Sequence, residues 1–250
     1  MLHEELFFVK PEDVDSQTLI ISGDEFKHLV HVLRKKVGDS ATATDGQGNS
    51  FLFQIFKIDA SFAQGTIVKK RRRQGEPYFQ LTLAQALLKG RHFDLVIEKC
   101  TEIGITRFVP MLTARSIGDE NQKKNQRWQR IALAAMKQCA RSVLPEITAV
   151  QGFESILEQH SHLPVKLVAD NGADARPLAQ ILSNHQPRHE NTYSRDGVLL
   201  IGPEGGFSPE EIELAQQHGY ELLSMGPRRL RAETAGVVGS ALVLAAMGEL

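Results

Sequence analysis

Residues 198–213 read VLLIGPEGGFSPEEIE. Val198 to Ile201 form an apolar run of the kind a buried strand needs, and they enter Gly202-Pro203-Glu204-Gly205-Gly206 directly. Ser208-Pro209-Glu210-Glu211 then opens a helix: Ser208 is the N-cap, Pro209 takes the first helical position, and Glu211 can close a capping box. A glycine-rich turn between a strand and a helix is a common place to bind phosphate. This one lacks the Lys-Ser/Thr pair of a phosphate loop, because Gly206 is followed by Phe207-Ser208. It also lacks the GxGxxG spacing, and Glu204 would repel a polyphosphate. A ligand that tolerates a carboxylate and takes backbone N–H and C=O contacts fits better. Adenosine with a cationic tail is one such ligand, and S-adenosylmethionine is an example. The other reading is a tight turn whose glycines only supply positive φ.

The same texture surrounds this stretch. YFQLTLAQAL (78–87), RFVPML (107–112), PVKLVAD (164–170), GVLLIGP (197–203) and ELLSMG (221–226) read as strands. FDLVIEKCTEIG (93–104) reads as a helix with Leu95, Val96, Cys100 and Ile103 on one face and Gly104 as its stop. QRWQRIALAAMKQCARS (126–142) reads as another, with Trp128, Ile131, Ala135 and Cys139 in one stripe. Strands alternating with helices predict an α/β domain with a mostly parallel sheet. Ligands on such sheets lie beyond the carboxyl ends of the strands. Three loops therefore matter: Asp170-Asn171-Gly172, Gly202 to Phe207, and Gly226 to Glu233. The last belongs to SMGPRRLRAETAG (224–236), where Gly-Pro again follows a strand and Glu233-Thr234 opens a helix rich in Ala, Gly and Val. Such a helix suits close packing on a sheet or a second subunit equally.

Residues 1–74 differ. FLFQIFKI (51–58) and QGTIVKK (64–70) read as strands, DGQGN (45–49) as a turn, and GDEFKHLVHVLRKKVGD (23–39) as one helix. RRRQGEP (71–77) is the linker candidate, which sets the expected domains at 1–74 and 75–250. The 250 residues carry a net charge of −1, but unevenly. Residues 85–145 hold 11 Lys and Arg against 5 Asp and Glu, whereas 146–250 hold 7 against 14. Arg34-Lys35-Lys36 and Lys69 to Arg73 add two basic clusters, read as polyanion contacts or as solvated loop charge. No apolar run is long enough for a membrane span, and MLHEELFFVK is not the pattern of a signal peptide. Cys100 and Cys139 have no CxxC spacing, so reduced thiols and a cytoplasmic location are expected. His28 and His31 read as surface or RNA-facing, and no metal is expected.

LLIGPEGGFSPEEI (199–212) and MGPRRLRAETA (225–235) together resemble the SPOUT-class RNA methyltransferases. HLVHVLRKKVGD (28–39), KGRHFDLVIEKCTEIGITRFVPMLTARS (89–116) and MKQCARSVLPEI (136–147) are similar to segments of a narrower group, the bacterial 16S ribosomal RNA (uracil-N3) methyltransferases. The resemblance implies a PUA-like β-barrel that binds RNA, followed by a SPOUT-type α/β domain with a deep trefoil knot. It implies a homodimer, S-adenosylmethionine as cofactor, and a uridine of the small ribosomal subunit as target. The cofactor would meet Gly202, Pro203, Glu204, Gly205, Gly206, Met225, Gly226, Leu230, Arg231, Ala232 and Thr234, with apolar contact from Leu200 and Leu223. Arg231 would stabilise the developing anion, Glu233 accept the proton, and Arg141 orient the base or a phosphate, within one subunit or across the dimer; Arg231 and Arg141 also read as phosphate contacts or intersubunit ion pairs. Glu233 also reads as a carboxylate that only favours its helix dipole. Arg34, Lys35, Lys36, Arg71, Arg72, Arg73 and Arg115 would contact RNA. Two further functions fit the sequence: a SPOUT enzyme acting on another RNA, and an RNA-binding or assembly protein without catalysis.

Overall fold

The computed structural model describes residues 5–116, 122–183 and 196–250. The chain forms two compact units. The first comprises Met1–Glu76 together with Leu133–Leu144, and the second Pro77–Ala132 with Pro145–Leu250. The first unit thus ends close to the expected linker, but it also takes in a short piece of chain from beyond that linker.

The first unit holds β1 (Leu6–Phe8), β2 (Thr18–Ser22), α1 (Gly23–Lys27), β3 (Ser40–Thr44), β4 (Asn49–Ile58) and β5 (Phe62–Arg72). Its sheet runs β1-β3-β4-β5-β2, parallel at β1–β3 and antiparallel elsewhere. Two register shifts in the β4–β5 pair, at Leu52/Phe53 and Ile55/Lys57, increase the twist and curl the sheet. Its concave side closes over Phe7, Leu19, Ile21, Leu29, Phe51, Phe53 and Ile55. The expected single helix over 23–39 is shorter. After α1 the chain makes a π-helical turn at His28–Val32, and Arg34 adopts φ 55°. The wider turn breaks the 3.6-residue repeat, so Leu29 is buried while Val32 and Leu33 face solvent.

The inserted piece is anchored by charge. Glu76 Oε2 accepts from Arg141 Nη2 at 2.9 Å and Nε at 3.2 Å, and Oε1 accepts from the N–H groups of Ser142 at 2.7 Å and Val143 at 2.8 Å. Both side chains of this ion pair are buried. A second pair, Lys137–Glu25, joins the same piece to α1.

The second unit holds β6 (Gln80–Ala86), α2 (His92–Ile103), β7 (Arg107–Leu112), α3 (Gln122–Gln138), β8 (Glu146–Ile147), β9 (Gln151–Gly152), α4 (Phe153–Gln159), β10 (Val165–Ala169), β11 (Arg176–Pro177), α5 (Leu178–Leu182), β12 (Asp196–Ile201), α6 (Pro209–Gln217), β13 (Glu221–Ser224) and α7 (Ala232–Ala246), although the end of α3 is counted with the first. The sheet is parallel throughout, in the order β11-β13-β10-β12-β6-β7-β8, with β9 beside β7. The strands at its centre are covered on both faces. Leu81, Leu83, Val198, Leu199, Leu200 and Val168 are all fully buried, as parallel sheets require.

Helix α2 stops at Gly104, whose φ of 114° gives the left-handed turn expected there. Its buried face is shifted from the expected one: Phe93, Val96, Ile97 and Cys100 are inside, while Leu95 is 42% exposed. Phe93 stacks on Trp128 of α3 at 4.3 Å between ring centroids, which fixes that face. Helix α7 packs on β6, β12 and α2. Its glycines allow the approach. A Cβ at Gly236 would lie 2.5 Å from Gln85 Oε1, and one at Gly239 would lie 3.0 Å from Leu199 Cδ2.

Candidate cofactor pocket

The adjacent strands β13, β10 and β12 end side by side, and their three following loops enclose a cleft with about 780 Å³ of free space open to solvent. Ala169, Asp170 and Asn171 come from the loop after β10. Ile201 to Phe207 come from the loop after β12, and Met225, Arg228, Arg229 and Leu230 from the loop after β13. Ala232 and Ala235, on one face of α7, close the remaining side.

The glycine loop is held from several directions. Inside, Phe207 is buried against Phe153 with ring centroids 5.4 Å apart. A Cβ on Gly202 would come within 3.1 Å of that ring, so glycine lets the strand end pack there without displacing it. Gly206 turns at φ 69° and donates to the Pro203 carbonyl at 2.8 Å. Beyond it the capping box is complete: Glu211 N–H donates to Ser208 Oγ at 3.2 Å, and Ser208 N–H to Glu211 Oε2 at 2.8 Å. The neighbouring Glu210 carboxyl is held below the usual carboxylate range, first by its hydrogen bond with Ser208. Outside, Arg229 Nη2 donates to the Glu204 carbonyl at 3.0 Å and so links the second loop to the third.

Of the residues expected at the cofactor, Gly202, Pro203, Glu204, Gly205, Gly206, Met225, Leu230 and Ala232 line the pocket. Leu200 and Leu223 do not. Side chains alternate along a strand, and both are sealed within the sheet's packing with no exposed surface. Ile201, Ala169, Phe207 and Ala235 supply the apolar contact in their place. Gly226, Arg231 and Thr234 border the lining without being part of it, and Arg231 and Thr234 are exposed.

Three of the expected residues are held by other groups of the protein. Glu233 is only 6% exposed and stands off the face of α7 that lines the pocket; its Oε1 lies 3.2 Å from Nδ1 of the half-exposed His92. Glu233 and His92 thus form a pair. Arg141 is 2% exposed and paired with Glu76, an anchor within its own unit. Arg115 touches the glycine loop: Nη1 donates to the carbonyls of Gly205 at 2.8 Å and Phe207 at 3.1 Å. Arg34, Arg71, Arg72 and Arg73 are exposed in the first unit, Lys36 likewise, and Lys35 donates to the Ser40 carbonyl at 2.9 Å. Residues 171, 228 and 229 had no assigned role in the sequence reading, although the strand-end rule pointed to their loops. Among the described residues no cluster of three or more metal-binding side chains is found.

The pocket suits the expected cofactor. A side chain at Gly206 or Gly226 would project into open space with no heavy atom within 4 Å, which leaves room for a ligand against the backbone. Two carboxylates, Asp170 and Glu204, and two guanidinium groups, Arg228 and Arg229, line the same cleft. That charge set matches a ligand that carries both cationic and anionic groups.

Residues 74–244 match the model of the RNA methyltransferase domain, and residues 21–68 match that of the RNA methyltransferase PUA domain. The chain belongs to the RNA methyltransferase family. It is 32% identical to the ribosomal RNA small subunit methyltransferase E of Synechocystis over 94% of this chain and 75% of that protein. It is 26% identical to the protein of the same name in Bacillus subtilis, over 90% and 89%. The ribosomal RNA small subunit methyltransferase E of Neisseria gonorrhoeae, solved bound to S-adenosyl methionine, superposes with a TM-score of 0.84 at 26% identity over 98% of both chains. A Legionella pneumophila protein solved with SAM gives 0.81 at 28% identity, again over 98% of each.

Proposed function

We propose that the protein transfers a methyl group from S-adenosylmethionine to N3 of one uridine in 16S ribosomal RNA of the small subunit. The observation that carries this reading is the convergence of three strand-end loops into an amphoteric, glycine-walled cleft in a chain of this family. Relatives named for small-subunit ribosomal RNA, and a neighbour bound to the cofactor, support the substrate and the cofactor.

When bound, the cofactor supplies a methyl group on a cationic sulfur, an electrophile for in-line displacement. The protein supplies position and proton handling. Backbone groups of Gly202, Gly205, Gly206, Met225 and Leu230 hold the adenosine part, and Asp170 and Glu204 balance the positive charge. Uracil N3 carries a proton on its pairing edge, so the base has to leave its stack, at a typical cost of a few kcal/mol. Arg231, the exposed residue that precedes α7, stabilises the imide anion as the proton leaves. The Glu233–His92 pair takes that proton: the carboxylate orients Nδ1, and the exposed ring is the accessible base. Arg34, Lys36 and Arg71 to Arg73 hold the RNA backbone. The working form is a cytoplasmic homodimer, its C-terminal segment knotted through the sheet's loops.

Incubating the protein with methyl-labelled S-adenosylmethionine and small subunits that lack the mark, then digesting the RNA, tests the proposal. N3-methyluridine is the expected labelled nucleoside. Label in any other nucleoside, or label from transfer RNA alone, refutes it.

A further inference from the structure

Arg115 lies in the short turn that follows β7. Thr113 N–H donates to Ser116 Oγ at 3.0 Å, and Ser116 N–H donates back to the Thr113 carbonyl at 3.1 Å. The turn is docked on the start of α6 and on the glycine loop. Ala114 N–H donates to Glu211 Oε1 at 2.8 Å, while the other oxygen of the same carboxylate accepts from Ser208 N–H. Arg115 Nη1 then reaches the carbonyls of Gly205 and Phe207, and its aliphatic stem packs over Gly205, where a Cβ would lie 3.5 Å from Arg115 Cδ. One helix-start carboxylate thus seats the turn, and the turn seats the arginine.

The consequence is for the peptide planes of the loop. A stretch with Gly at 202, 205 and 206 is the part of the pocket with most backbone freedom. A guanidinium that fixes two of its carbonyls removes much of that freedom before a ligand arrives. The Gly206 N–H is already spent on Pro203. We propose that Arg115 is a positioning residue for the cofactor loop: it holds the Gly205 and Phe207 carbonyls outward, so that the pocket side of the loop is preset for an adenosine-type ligand. This rests on the S-adenosylmethionine reading above.

The test uses the full-length protein as parent, Arg115→Ala and Arg115→Lys. Cofactor Kd is measured by calorimetry without RNA, RNA affinity is measured separately, and Tm is recorded for each. Arg115→Ala should raise the cofactor Kd on the order of tenfold, as loss of hydrogen bonds to a charged donor does, with RNA affinity unchanged. Arg115→Lys, whose single ammonium can serve the same carbonyls without the fork, should recover part of the loss, and it decides the matter if Arg115→Ala melts at a lower temperature than the parent. A cofactor Kd within about twofold of the parent in both variants, or a fall in RNA affinity alone, overturns the proposal. A parent that does not bind S-adenosylmethionine overturns the cofactor reading as well, so the two failures are distinguishable.

Discussion

Gly206 sits at φ 69° with open space where a Cβ would point. Gly206→Ala therefore meets no steric neighbour, and its cost is backbone alone, about 1–2 kcal/mol for an L-residue in the left-handed region. The loop should relax away from that conformation, so cofactor Kd measured by calorimetry should rise, with Tm lower by a few degrees at most. Arg231→Ala should do the reverse. It removes a group that acts on the developing anion, so single-turnover methylation should slow by about 10²-fold or more while cofactor Kd is preserved. His160 gives a prediction about pH. Burial holds its imidazole below the ordinary value of 6.5, against the opposing effect of its bond with the Ile156 carbonyl and with the help of Arg107 and His162. Above about pH 6.5 both folded and unfolded chains keep this ring neutral, and its contribution to stability is complete. As pH falls, the unfolded chain takes up a proton that the folded one resists, and stability declines until the folded group titrates too. Urea midpoints between pH 7.5 and 5.5 should fall for the parent and fall less for His160→Gln.

At the scale of elements, the start of α6 is the best-defined local structure. Removing the Ser208 hydroxyl leaves the Glu211 N–H without its cap at a cost of about 1 kcal/mol. For a protein of this size Ser208→Ala should lower Tm by about 2–4 °C by calorimetry. That capping box was legible because it is local: four consecutive residues specify it. The strands β7, β10 and β12 were legible for the same reason, each being a short apolar run between turn residues. The buried face of α2 was not, because Leu95 and Ile97 are equally apolar and only the stack of Phe93 on Trp128 decides which lies inside. Nor was the π-helical turn after α1, since one extra residue per turn leaves no mark on composition. The pocket was legible at the level of loops. Its side chains were legible only in part: strand alternation sends Leu200 inward and Ile201 to the cleft, and the partners of Arg115, Arg141 and Glu233 are distant in sequence.

For the molecule as a whole, the basic cluster and the cleft belong to different units. Lys69 to Arg72, on the exposed end of β5, belong to the first unit, and the cleft belongs to the second. Replacing Lys69, Lys70 and Arg72 together by Ala should weaken RNA binding and flatten its dependence on salt by roughly 0.7–0.9 per lost phosphate contact. Cofactor Kd should not move, and a change in it would contradict the division. The first unit is also not a single piece of chain. Glu76 finds Arg141 only after the intervening segment has been made, so a polypeptide ending at Glu76 would carry a carboxylate whose buried cation is missing. The first unit is therefore not a cassette that can be cut at its linker and grafted onto a relative; residues 133–144 have to travel with it. On the ribosome the N-terminal unit cannot close when its own linker emerges, as a continuous domain could. Its completion waits until Pro77–Ala132, the smaller part of its neighbour, has been made.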